Sequence, residues 1–215
     1  MYTIHDSEYS KKLAKQLLEI NAVLLRPNEP FKWSSGWNSP IYCDNRKTLR
    51  FPEIRSEIAD KLVECIQEHY PDVEVITGTA TAGIPHATLI ADRIEKPLAY
   101  VRARHKSYGL GKQIEGGVDK GQTSLVIEDL ISTGSSALTV VDTLKFIGAK
   151  IPAVMTIFTY GFDTSNERFE EAETEVYALT DFATLTNVAQ KEGYIEQEDI
   201  ELLNQWRAQP ETWPN

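Results

Sequence analysis

The chain has 215 residues, enough for one globular domain with a sizeable core, and its 41% hydrophobic and 25% charged content, with only 12 Gly and 10 Pro, excludes a disordered or fibrous protein. Its 32 acidic against 22 basic residues give a net charge of −10, which excludes the basic surface of a general nucleic-acid binder and requires any anionic ligand to be held by a local basic site. No run reaches the ~18–20 apolar residues that span a bilayer, and the N-terminal MYTIHDSEYSKK lacks a charged-then-apolar signal pattern, so a cytoplasmic protein with no membrane partner is expected.

In chain order, that polar N-terminus reads as the approach to a helix over 7–25, where Leu13, Leu17, Ile20 and Leu24 make an apolar stripe that stops before Pro27. A loop rich in Pro, Ser, Gly and Trp follows, over 26–48. Helical spacing returns at Ile54, Ile58, Leu62 and Ile66, behind a Pro52 that suits a first helical position, and Pro71 closes the segment. From there short apolar runs, 73–78, 98–102, 123–130 and 153–160, alternate with helical stretches, which predicts a parallel sheet with right-handed crossovers. The helix after the third run carries Val140, Val141, Leu144 and Ile147 on one face and Gly148 at its end. A strand over 176–180 and helices over 181–191 and 197–208 complete an α/β fold, a central mostly parallel sheet flanked by helices.

Cys43 and Cys65 are expected as free thiols. His5, His69, His86 and His105 show no ligand spacing with one another or with the cysteines, so a structural zinc site is not expected, and each histidine is read as a surface or hydrogen-bonded core residue.

The chemistry concentrates in SLVIEDLISTGSSA, residues 124–137. A buried strand delivers Glu128 and Asp129 to its C-terminal edge, where ligands sit in open α/β sheets. The turn Ser132, Thr133, Gly134, Ser135, Ser136 then offers backbone N–H groups and hydroxyls at a helix start, a cradle for a phosphate. Carboxylates for sugar hydroxyls beside a phosphate cradle describe a phosphosugar site. No Lys follows the Gly, so the string is not a Walker A loop. A second cluster, YVRARHKSYGLGKQIEG at 100–116, gathers Arg102, Arg104, His105, Lys106 and Lys112; by composition alone it is a solvated basic loop.

VIEDLISTGSS resembles the phosphoribosyl pyrophosphate signature of the type I phosphoribosyltransferases, and VEVITGTATAGIP (73–85) resembles their pyrophosphate loop, with Gly78 and Gly83 admitting a close backbone approach to the diphosphate. FKWSSGWNSPIYCDNR (31–46) is similar to the N-terminal loop of the orotate phosphoribosyltransferases, and 100–116 to their mobile catalytic loop, which closes over the active site of the partner subunit; Gly109, Gly111, Gly116 and Gly117 suit such a lid. The resemblance implies the type I phosphoribosyltransferase fold in a single domain, 1–215, with a small N-terminal hood and base-binding loop over 1–48 and an α/β core with C-terminal helices over 49–215. It implies that orotate and phosphoribosyl pyrophosphate become orotidine 5′-phosphate and diphosphate, with Mg2+ as cofactor and a homodimer with shared sites as the working form.

By the same resemblance Lys106, Arg102 and Asp129 are the catalytic residues. Arg102, Lys106 and Tyr108 join Glu128, Asp129, Leu130, Ile131 and the turn Ser132, Thr133, Gly134, Ser135, Ser136 in binding the donor, and Ser132, Tyr42 and Cys43 meet orotate; no residue is assigned directly to the metal. Some members carry a lysine immediately before the Ser35–Gly36 turn, after the loop arginine or within the pyrophosphate loop; here those positions are Ser34, Ala103 and Ala82, and Lys32 is the candidate substitute for the first. Many carry a histidine at Tyr108, which weakens a role there and leaves Arg104 or His105 to compensate. A transferase for a purine base and a regulator that senses phosphoribosyl pyrophosphate are the competing readings.

Overall fold

The computed structural model describes residues 1–33, 36–102 and 113–213. Its frame is a seven-stranded sheet in the order β1 (Tyr2–Ile4), β11 (Glu175–Asp181), β10 (Ala153–Thr159), β9 (Ser124–Ile131), β6 (Val75–Thr79), β7 (Leu98–Val101), β8 (Ile114–Glu115). All neighbours are parallel except β8, which returns antiparallel to β7. Residues alternate between two buried layers: along β9, Leu125 and Ile127 join one apolar cluster and Val126 joins the other. α1 (Ser7–Glu19), α2 (Pro52–His69), α3 (Gly83–Arg93), α6 (Phe182–Lys191) and α7 (Gln197–Ala208) contribute to the first cluster, and α4 (Ser135–Phe146) with α5 (Asp163–Glu171) to the second.

Local chemistry explains the ends. Asp6 caps α1, its Oδ1 accepting from the N–H groups of Glu8 (3.0 Å) and Tyr9 (2.9 Å). The apolar stripe predicts that this helix runs to Pro27, but it stops at Glu19: Asn21 turns the chain at φ 56°, and Leu24 belongs instead to β2 (Val23–Leu25). The polar N-terminus predicts only the approach to that helix, yet Tyr2–Ile4 pairs with β11 as an edge strand. Pro52 opens α2 as expected, and Gly148, at φ 88°, follows the end of α4 and donates its N–H to the Lys145 carbonyl (2.9 Å).

The predicted loop over 26–48 contains structure. β2 pairs antiparallel with β5 (Ile41–Cys43), β3 (Phe31–Lys32) pairs with β4 (Asn38–Ser39), and a 3-10 helix over Asn45–Arg50 leads toward α2. These two small ribbons are separate from the main sheet, which β1 joins at its edge, while α1 packs into its helical cover.

Candidate active site

The strand order reverses between β6 and β9: β7 and β8 lie outward of β6, whereas β10 and β11 lie outward of β9. Such a switch point opens a crevice at the C-terminal ends of the strands. The turn after β6 forms one side, with a cis peptide between Ala80 and Thr81, and the end of β9 forms the other. Gly78 and Gly83 serve packing more than ligand approach. A Cβ on Gly83 would lie 2.3 Å from the Ile127 carbonyl oxygen, and one on Gly78 would lie 2.9 Å from Ile84 Cα, so both glycines let α3 press directly against the sheet.

Glu128 is 5% exposed and its Oε2 has no hydrogen-bond partner among the described residues; its Oε1 accepts from the Asp129 N–H at 3.1 Å. Burial, followed by the neighbouring Asp129 charge, pushes the Glu128 carboxyl well above the usual carboxylate range. Burial also raises the Asp129 carboxyl, outweighing the lowering effect of the Arg46 charge. The pair is thus under-satisfied, set to accept hydroxyls or a cation. From the 3-10 helix that follows β5, Asn45 Nδ2 donates to the Asp129 carbonyl at 2.6 Å, fixing the end of β9.

Beyond Ile131 the chain turns at Gly134 (φ 77°), and no side chain caps α4, so its first N–H groups are left for an anion. They edge a small hollow of about 50 Å3 lined by residues 130–137. A Cβ on Gly134 would meet Phe169 Cε2 at 2.8 Å and Ser165 Oγ at 3.2 Å, so α5 lies directly beneath the turn. From α5, Arg168 Nη1 donates to the Thr133 carbonyl (2.8 Å) and to Ser135 Oγ (2.9 Å), and the Thr133 and Ser135 hydroxyls are 3.1 Å apart. Arg168 is a part of the cradle that the sequence does not signal, since DTSNERFEE has too few apolar residues to announce a helix.

A larger cavity of about 510 Å3 adjoins the cradle, lined by Lys32, Trp33, Trp37, Tyr42, Cys43, Leu130, Ser132, Thr133 and Tyr160. The expected orotate contacts Tyr42, Cys43 and Ser132 therefore meet in one place. Trp33, Trp37 and Tyr160 come without warning, although paired tryptophans in a polar loop are a signal of a flat-ligand wall. Trp33 and Trp37 stack at 6.4 Å and 19°, and Trp33 also packs on Tyr160 (5.4 Å) and Trp206 (5.6 Å). Trp33 Nε1 donates to the Ile41 carbonyl at 3.2 Å and Trp206 Nε1 to the Asn38 carbonyl at 3.1 Å, so the two ribbons and α7 brace one another. Burial pushes the Cys43 thiol and the Tyr160 phenol upward, leaving both protonated and uncharged at neutral pH.

Arg102 stands apart from this wall, ion-paired with Glu115 of β8 at 2.8 Å. Arg104, His105, Lys106, Tyr108 and Lys112 lie outside the described residues, as do Ser34, Ala103, Gly109 and Gly111. His86 is neither surface nor hydrogen-bonded, contrary to expectation: it is fully buried on α3, neither ring nitrogen has a partner among the described residues, and burial lowers its pKa to about 4. Cys43 and Cys65 are free. No described helix is long and apolar enough to cross a membrane.

A crevice at a switch point, an acid pair and an anion cradle at one helix start define the phosphoribosyltransferase class, and residues 47–182 match the phosphoribosyl transferase domain family. Over 200 residues the chain is 52% identical to the orotate phosphoribosyltransferase of Bacillus subtilis, covering 93% of each. The crystal structure of orotate phosphoribosyltransferase from Aeropyrum pernix superposes with a TM-score of 0.74 at 28% identity, covering 86% of this chain and 99% of that one. That of the Mycobacterium tuberculosis enzyme in complex with 5-phospho-alpha-D-ribosyl 1-diphosphate gives 0.64 at 25% identity, covering 83% and 99%. The chain belongs to the orotate phosphoribosyltransferases.

Proposed function

We propose that the chain transfers the phosphoribosyl group of phosphoribosyl pyrophosphate to orotate, giving orotidine 5′-phosphate and diphosphate in pyrimidine biosynthesis. One observation carries the reading: the anion cradle and the aromatic cavity share Leu130, Ser132 and Thr133, so a phosphosugar and a flat base can be held end to end beside the acid pair. In the reaction a ring nitrogen of orotate forms the new bond to the anomeric carbon and loses its proton, while the bond from that carbon to the diphosphate oxygen breaks. Positive charge develops on the ribose, and its stabilisation is the main task. Glu128 and Asp129 accept hydrogen bonds from the ribose hydroxyls and oppose that charge. The N–H groups and hydroxyls of 132–136 hold the 5′-phosphate.

On the base side, Trp33, Trp37 and Tyr160 wall the ring, Tyr42, Cys43 and Ser132 complete its surroundings, and Lys32, the one cation among the described lining residues, answers the orotate carboxylate. Arg102 and Lys106 neutralise the departing diphosphate, Tyr108 contributing beside them, and they reach it across a homodimer interface. Mg2+ suits the hard oxygens gathered here, including Glu128 Oε2, which has no partner among the described residues; it would be carried chiefly by the substrates' own oxygens and would supply positive charge that favours departure of the diphosphate. The enzyme acts in the cytoplasm.

The test offers the purified protein phosphoribosyl pyrophosphate and Mg2+ with orotate, uracil, hypoxanthine or xanthine in separate reactions. Consumption of orotate alone is expected. Turnover of a purine instead would overturn the reading of the hood, and silence with all four would favour a non-catalytic sensor of the donor.

A further inference from the structure

Outside the substrate cleft, three side chains converge where the chain leaving β1 meets the last turns of α2. Contrary to the expectation of no ligand spacing among the histidines and cysteines, Cys65 and His69 stand one helical turn apart on α2, and the fold brings His5 against them from 60 residues away. One donor atom from each lies within 4.8 Å of the other two. The two imidazoles meet edge to face at 5.8 Å, and Tyr177 of β11 backs His69 at 4.8 Å. Glu68 reaches both rings: its Oε2 is 3.8 Å from His5 Nδ1 and its Oε1 is 4.0 Å from His69 Nε2, too far for hydrogen bonds but within reach of a shared ion. None of the four lines the cavity or the cradle.

We propose that His5, Cys65 and His69, completed by Glu68, bind a transition-metal ion of the Zn2+ kind. Tetrahedral bonds of ~2.0–2.3 Å set donor atoms roughly 3.3–3.8 Å apart, so the observed cluster needs a closure of about 1 Å. The side chains of His69 and Glu68, 32% and 64% exposed, are free to make that adjustment, whereas buried Cys65 is the fixed point. A thiolate and two imidazoles prefer Zn2+, Co2+ or Cu+ to Mg2+, so this site does not compete for the hard cation that accompanies the donor. On binding, a sulfur–metal bond forms and the thiol proton leaves to solvent. The ion would tie edge strand β1, held by only three register pairs, to α2.

Untagged, chelator-treated protein is titrated with Co2+ in the presence of excess Mg2+. One Co2+ per chain is expected, with a thiolate-to-cobalt charge-transfer band and tetrahedral visible bands that one equivalent of Zn2+ abolishes. Cys65→Ser should lose the charge-transfer band while keeping orotate turnover, and His69→Ala should weaken Co2+ binding at least tenfold, on the order of the loss from disturbing a metal ligand. No charge-transfer band in the parent protein, or a band that survives Cys65→Ser, overturns the site. If the serine variant does not fold, His69→Ala decides alone: undiminished Co2+ affinity rejects the proposal.

Discussion

Replacing Gly134 by alanine separates two costs that the structure lets one estimate independently. At φ 77° an L side chain is strained, worth about 1–2 kcal/mol. The new Cβ would also sit 2.8 Å from Phe169 Cε2, and Phe169 is 2% exposed within the second apolar cluster, which adds roughly 1–3 kcal/mol of overpacking. Gly193 has the same φ of 77° but open space where its Cβ would be, so Gly193→Ala bears the backbone cost alone. At ~2–4 °C per kcal/mol for a chain of this size, Gly134→Ala should melt roughly 4–20 °C lower and Gly193→Ala roughly 2–8 °C lower. Because the displaced turn is the anion cradle, Gly134→Ala should also raise KM for the phosphoribosyl donor about tenfold, with Gly193→Ala unchanged. Calorimetry and initial rates on both variants decide it. Equal losses of Tm would refute the steric argument, and an unaltered donor KM would refute the role of the turn.

Lys32→Ala should raise KM for orotate about 10- to 100-fold while sparing the donor, the range expected for one hydrogen bond to a charged group; a proportional effect on both substrates would remove Lys32 from the base site. Arg168→Ala, at an exposed position, should leave Tm within about 2 °C yet raise the donor KM about tenfold, with partial recovery in Arg168→Lys. Folded pKa values of Glu128 and Asp129 are raised, so their contribution to stability is complete below the ordinary carboxyl pKa of ~4 and is lost as pH rises through the raised values. Glu128→Gln should therefore melt above the ligand-free parent at pH 8, with a margin that closes toward pH ~4 while activity is lost; a margin independent of pH contradicts this. Lys106→Ala should lower turnover roughly 10²-fold, and mixed dimers with Asp129→Asn should recover activity; no recovery in verified heterodimers rejects a shared site.

The legible parts of the fold are those whose signal is continuous along the chain. Strands β6, β9, β10 and β11, buried on both faces, show as apolar runs, and the acid pair with its cradle is visible because Glu128 to Ser136 are consecutive. Short or polar elements are not legible. β1 has three residues, α1 ends at Glu19 without a Gly or Pro to mark the turn at Asn21, and α5 exposes most of its charged surface and so hides Arg168. The aromatic wall joins positions 33, 37, 160 and 206, and the His5–Cys65–His69 cluster joins both ends of a long loop closure; pattern reading within one window reaches neither.

The tryptophans braced around the cavity have an optical consequence. Of the four in the chain, Trp33 and Trp37 face the cavity and Trp206 touches Trp33 at 5.6 Å, so excitation absorbed by any of the three can pass to the indoles that a bound base would cover. Intrinsic emission then reports occupancy of the base pocket without a label, and a titration in the absence of the donor reads whether the pocket is already shaped for its ligand or takes form only after the phosphosugar has bound.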